Sequence, residues 1–192
     1  VGQNLSKWRP NSDYKKTVSS KKVLGGGVLL ELSHEIDYIN WIFGKADWVK
    51  SHISKQSKLE IDVEDNATII FGFKGPTNYE MVGLLNMNFY QHDDSRKCKV
   101  IGEKGTLVWD GVEGKVRFYG KKTNNWKIVF SSFPERDFTY IEELSNFFSS
   151  IELSKKPHIS GEDGLLSVLA IEAIRKSSNQ GSIVYLLFFI IL

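Results

Sequence analysis

Three consecutive glycines, Gly25 to Gly27, run into a stretch whose apolar residues Leu29, Leu32, Ile36, Ile39 and Phe43 recur at steps of three and four, and Gly44 closes it. That period belongs to an amphipathic helix over residues 28–43, with the glycine beyond it as a stop. Glycines in series suit a backbone that turns sharply or approaches a neighbour closely. On such a helix Glu31, His34, Asp37 and Tyr38 stand three or four residues apart, on a side away from the main apolar stripe. A histidine among carboxylates on one helical side is a candidate proton-transfer site, because free imidazole titrates near pH 6.5.

After this helix the sequence changes period. Residues 49–57, 67–73, 79–90, 97–101, 106–109, 115–119 and 126–130 are short runs rich in β-branched and aromatic residues. Lys74-Gly75-Pro76, the Gly102 to Gly105 segment, the Gly111 to Gly114 segment and residues 120–125 separate them with turn chemistry. Helical spacing returns at Phe138, Ile141, Leu144, Phe148 and Ile151, and again at Leu165, Val168, Leu169 and Ile174. A helix, then strands, then helices predicts an α+β fold: a large, mainly antiparallel β-sheet with helices packed on one face. A chain of 192 residues buries one sizeable core and is most simply a single domain, with residues 1–20 as a polar N-terminal loop segment.

Charge and composition exclude several classes. Acids and bases nearly balance, at a net charge of +2, and the lysines are scattered, so no nucleic-acid partner is expected. Cys98 is the single cysteine, which removes an internal disulfide or a thiolate metal cluster and makes a reducing cytoplasm the default location. No metal is expected: His92, Asp93 and Asp94 are adjacent in a loop without a second histidine cluster, and Asp62, Glu64 and Asp65 are too few ligands for a calcium loop. Residues 183–192 are apolar throughout but only about half as long as the roughly 20 residues a membrane helix needs, so a last buried strand is expected rather than an anchor, with 187–192 as an apolar tail. No strand, Gly-x-Gly-x-x-Gly turn and helix occur in sequence, and Gly25 to Gly27 follows no apolar strand, so the chain lacks a dinucleotide-binding signature.

The glycine turn, the apolar pair after it and His34-Glu35-Ile36-Asp37 leading to Trp41-Ile42-Phe43-Gly44 resemble the C-terminal domain of the Gfo/Idh/MocA oxidoreductases. The later segments, Arg96 followed by Val100-Ile101-Gly102-Glu103-Lys104-Gly105 and on to Trp109, and then residues 160–178, follow in family order, so the resemblance covers about 8–186. It implies a substrate-binding and oligomerisation domain of an enzyme that moves hydride between a sugar or polyol carbon and NAD or NADP. The cofactor would be bound mainly by a separate dinucleotide domain, upstream of Val1 and absent here, which would also supply a catalytic lysine, so this chain alone is expected to be inactive. His34 matches the family histidine and is the expected general acid/base, with Glu31 fixing its tautomer or meeting a substrate hydroxyl. The family aspartate stands four residues before that histidine, where this chain has Leu30, with Glu31 one residue closer.

Trp8-Arg9-Pro10 and Asp13-Tyr14 are similar to a loop of a subgroup linked to amino-sugar or sialic-acid-like metabolism, which makes Arg9, Tyr14, Asp37 and Tyr38 the candidate substrate contacts. An arginine fork suits carboxylates or phosphates, and an aromatic ring stacks on a sugar's apolar face. Structural alternatives stand beside each: Arg9 pairing with Asp13, Asp37 holding its own helix, Tyr38 and Trp41 packing. The competing function is a non-catalytic sugar-binding or oligomerisation module of the same fold. The resemblance also implies a homo-oligomer built through an open sheet face.

Overall fold

Burial alternates along Asn66–Lys74, with Ala67, Ile69, Phe71 and Phe73 turned inward and Thr68 and Lys74 outward, as a strand covered on one face requires. In the computed structural model, which describes residues 1–75, 79–135 and 137–186, that strand lies at the centre of the larger of two compact units. One unit holds Val1–Asp93 and the chain from Gly161 onward, the other Asp94–Ser160.

The first unit opens with α1 (Leu5–Trp8) and three short 3-10 turns, so part of the stretch read as loop is helical. Then come α2 (Val28–Glu31), α3 (Ser33–Phe43), β1 (Trp48–Ser54), β2 (Asn66–Lys74) and β3 (Glu80–Asn88). The helix expected over 28–43 is thus two helices that meet at Leu32, whose φ and ψ of −104° and 24° leave helical geometry. Two anchors pull on the first of them: the Val28 and Leu29 N–H groups donate to the Glu64 carbonyl and carboxylate, at 3.1 and 3.3 Å, on the connection between β1 and β2. The α3 helix instead follows the sheet and buries Ile36 and Ile39.

The second unit carries β4 (Lys97–Gly102), β5 (Gly105–Asp110), β6 (Lys115–Gly120), β7 (Trp126–Ser131) and α4 (Phe138–Glu152). The first is completed by α5 (Gly161–Gln180) and β8 (Val184–Tyr185). The class is α+β, as the periodicity predicts, but the strands form two antiparallel four-stranded sheets, ordered β3-β2-β1-β8 and β4-β5-β6-β7, instead of one large sheet. Among the described residues of the apolar C-terminal run, Val184 and Tyr185 form the expected strand; residues 187–192 lie outside the described residues.

Apolar side chains of α2, α3 and α5, among them Val28, Leu29, Ile36, Ile171 and Ile174, pack on the inner face of the first sheet against Val49, Ile69, Phe71, Leu85 and Met87. Because β8 pairs only with Trp48 and Val49, the rest of the β1 edge needs other partners, and α5 supplies them. The Ser51 and Ile53 N–H groups donate to the hydroxyls of Ser177 and Ser178, at 3.0 and 2.9 Å, and the Ser51 hydroxyl donates to the Ile174 carbonyl. A helix with serines there satisfies strand groups that would otherwise be left without partners. In the second unit no apolar side chain among the described residues is fully buried; α4 has the expected spacing, yet Phe138, Ile141, Leu144, Phe148 and Ile151 are all exposed.

Candidate functional site

The glycine turn is a packed corner. A Cβ on Gly26 would strike the Val18 carbonyl, and one on Gly27, whose φ is 111°, would strike the Glu64 carboxylate. The acidic turn at 62–65 holds this corner: Asp62 accepts from the Lys22 N–H at 2.7 Å, Glu64 from Leu29, and the buried Asp65 from the N–H groups of Gln56 and Ser57 at 2.6 and 3.0 Å. Nearby, Tyr90 has its hydroxyl pushed up from the usual tyrosine range by burial and then by the Asp65 charge. With protein atoms filling the approach and a carboxylate at the first N–H groups of α2, the turn does not fit a dinucleotide phosphate.

His34 stands at the start of α3, its side chain about half exposed, and its Nε2 lies 3.3 Å from Oε1 of Glu35, which is 1% exposed. Glu31, the carboxylate expected beside the ring, lies on α2 across the Leu32 break and is partly buried. Asp37 accepts a hydrogen bond from the Ser167 hydroxyl at 2.9 Å, which ties α3 to α5. Tyr38 and Tyr14 are partly buried against the core. The Tyr14 hydroxyl accepts from the Glu60 N–H at 3.4 Å, and its neighbour Lys15 pairs with Glu60, which raises the Lys15 pKa from its ordinary value. Arg9 ends α1 with an exposed side chain. Among the described residues no hydrogen bond or ion pair joins Arg9, Tyr14 or Glu31 to His34. The structure thus brings together one pair, His34 and Glu35. The second member was missed in the sequence although it is the next residue, because neighbours on a helix do not share a face.

On the outer face of the first sheet the Trp48 indole lies across Gly72, where a Cβ would meet the ring, and its Nε1–H donates to Glu80 at 2.8 Å. A hollow of about 470 Å³ opens there, lined by Asp47, Trp48, Phe73, Lys74, Tyr79 and Glu80 among others. None of the six sequence-predicted site residues lines it.

Compared with known families, residues 3–186 match the C-terminal alpha/beta domain of the Gfo/Idh/MocA oxidoreductase family. The chain belongs to that family. Myo-inositol 2-dehydrogenase of Thermotoga maritima is 25% identical over 170 residues, which cover 82% of this chain and 48% of that protein. Among solved structures, a levoglucosan dehydrogenase in complex with NADH and levoglucosan superposes with a TM-score of 0.81 at 18% identity, over 97% of this chain and 57% of that one. The aldose-aldose oxidoreductase from Caulobacter crescentus complexed with glycerol gives 0.74 at 20% identity, over 96% of this chain and 53% of its own. At such identities the superpositions establish the fold, and the chain spans about half the length of these relatives. No helix among the described residues is long and apolar enough to cross a membrane.

Proposed function

We propose that this chain is the substrate-binding half of a cytoplasmic NAD- or NADP-dependent oxidoreductase that acts on a hydroxyl of a sugar or polyol. The observation that carries the reading is His34, half exposed at the start of α3 and backed by a buried carboxylate, in a chain whose family is an oxidoreductase family. The nicotinamide supplies the hydride acceptor in such a reaction and is held mainly by residues outside this chain, consistent with a glycine turn already filled by Val18 and Glu64. What this chain contributes is proton handling and substrate recognition. His34 takes the hydroxyl proton in oxidation and returns it in reduction, a task suited to a group that ionises near neutrality. Arg9, Tyr14, Asp37 and Tyr38 contact the sugar, and Glu31 meets a substrate hydroxyl.

The uncovered face of the first sheet carries Val82, Leu84 and Tyr185, exposed by 56, 78 and 67%, beside Trp48. An apolar strip of this kind on an open sheet suits self-association, and the protein is a homo-oligomer through that face. The catalytic reading is tested by supplying the native-length protein with NAD and NADP against a panel of aldoses, anhydrosugars and inositols and following nicotinamide absorbance. Turnover with at least one of them is expected. Sugar binding without turnover on the whole panel would favour a non-catalytic sugar-binding module.

A further inference from the structure

Glu35 is a buried carboxylate to which the proton transfer just described gives no part. It sits in the first turn of α3, where the positive end of the helix favours a negative side chain. Successive side chains on a helix point about 100° apart and ordinarily diverge. The Nε2 to Oε1 approach of 3.3 Å between residues 34 and 35 therefore sets this pair apart from ordinary helical neighbours. Nε2 is the ring nitrogen that stands beside the carboxylate, and Nδ1 is the other nitrogen of the ring. The alternative carboxylate, Glu31, belongs to a different helix beyond the Leu32 break.

We infer that Glu35 is the positioning residue of His34: its carboxylate accepts the Nε2 proton and fixes the neutral ring as the Nε2–H tautomer, leaving Nδ1 as the nitrogen that exchanges the substrate's hydroxyl proton. The assignment of Nδ1 rests on the oxidoreductase reading; the hold of Glu35 on the ring does not. In oxidation the carbon's hydrogen leaves with its bonding pair to the nicotinamide, the O–H bond breaks, and the oxygen keeps that pair to complete the carbonyl. The proton passes to Nδ1. The ring becomes imidazolium beside the Glu35 carboxylate, whose negative charge stabilises the charge it has gained.

The test uses native-length protein with 15N-labelled histidines. Glu35→Met and Glu35→Gln both keep the length of the glutamate side chain, so neither opens a cavity; Met removes the acceptor oxygen and Gln keeps one. In the wild type the His34 ring, identified by its loss in His34→Gln, is expected to carry its neutral-form proton on Nε2 with slowed exchange to water. Glu35→Met should speed that exchange at least about tenfold and lower kcat by about tenfold to a hundredfold with little change in KM, and Glu35→Gln should fall between. Exchange at the ring unchanged by Glu35→Met would overturn the positioning role whatever turnover does. Faster exchange with unaltered kcat would overturn the Nδ1 assignment. A wild-type protein with no nicotinamide-linked turnover would instead overturn the oxidoreductase reading and with it the Nδ1 assignment, and the ring proton alone would then decide whether Glu35 holds His34.

Discussion

Carboxylates in this chain are distinguished less by type than by which N–H groups reach them. Asp62, Glu64 and Asp65, an unremarkable acidic run in the sequence, each receive backbone donors, Asp62 and Glu64 from the two sides of the glycine corner that leads into α2 and Asp65 from Gln56 and Ser57. Asp110, buried at the end of β5, is held below the usual carboxylate range by the Glu113 N–H; burial opposes this, and Lys97 at 3.2 Å and the Val112 N–H add to it. A carboxylate with a lowered pKa in the folded state stabilises the fold above its unfolded pKa, about 3.9, and that contribution is lost as pH falls through the folded value. Urea denaturation across a pH series should therefore show Asp110→Asn less stable than the wild type above about pH 5, with the two curves converging as the solution is made acid. Parallel curves would show that the Asp110 charge does not stabilise the fold. The position of His34 on a helix was legible, because its motif and spacing are local, whereas the 3.3 Å approach of Glu35 was not, because periodicity does not encode how two neighbouring side chains settle.

At the scale of elements, strands were read almost to the residue where alternation and turn chemistry agree. Gly102 and Gly105 close the β4 to β5 hairpin as their spacing suggests, and Arg96 lies over the Trp109 ring at 5.2 Å. The failure is the helix over 28–43. Its apolar spacing continues through Leu32, but the pull of Glu64 on Val28 and Leu29 is a contact between residues more than thirty positions apart, outside any window of local sequence. The α5 serines are similar: their role appears only once β8 is known to stop short of Ser51 and Ile53. Ser177→Ala with Ser178→Ala should cost about 2 to 4 kcal/mol, from two strand N–H groups left without acceptors. In hydrogen exchange, the amides of Ser51 and Ile53 should lose protection first. Unchanged protection at those two amides would show that the helix does not hold the β1 edge.

For the molecule as a whole, the core is concentrated in one unit: every buried apolar side chain described belongs to Val1–Asp93 or to α5. The sequence showed the spacing of α4 but not that its apolar residues would lie exposed, since spacing reports which side of a helix is apolar and not what covers it. The outer face of the first sheet follows the same logic. Leu84→Arg, at a side chain 78% exposed, should leave the unfolding midpoint within a few degrees of wild type while dissociating the proposed homo-oligomer in equilibrium sedimentation. An unaltered mass would place the interface elsewhere. The proposed proton transfer by His34 is tested most directly by comparing steady-state turnover of native-length wild type and His34→Ala on whichever panel sugar is turned over. A fall in kcat of about a hundredfold to ten-thousandfold is expected, with the fold and cofactor binding retained; turnover equal to wild type would remove His34 from the proton transfer.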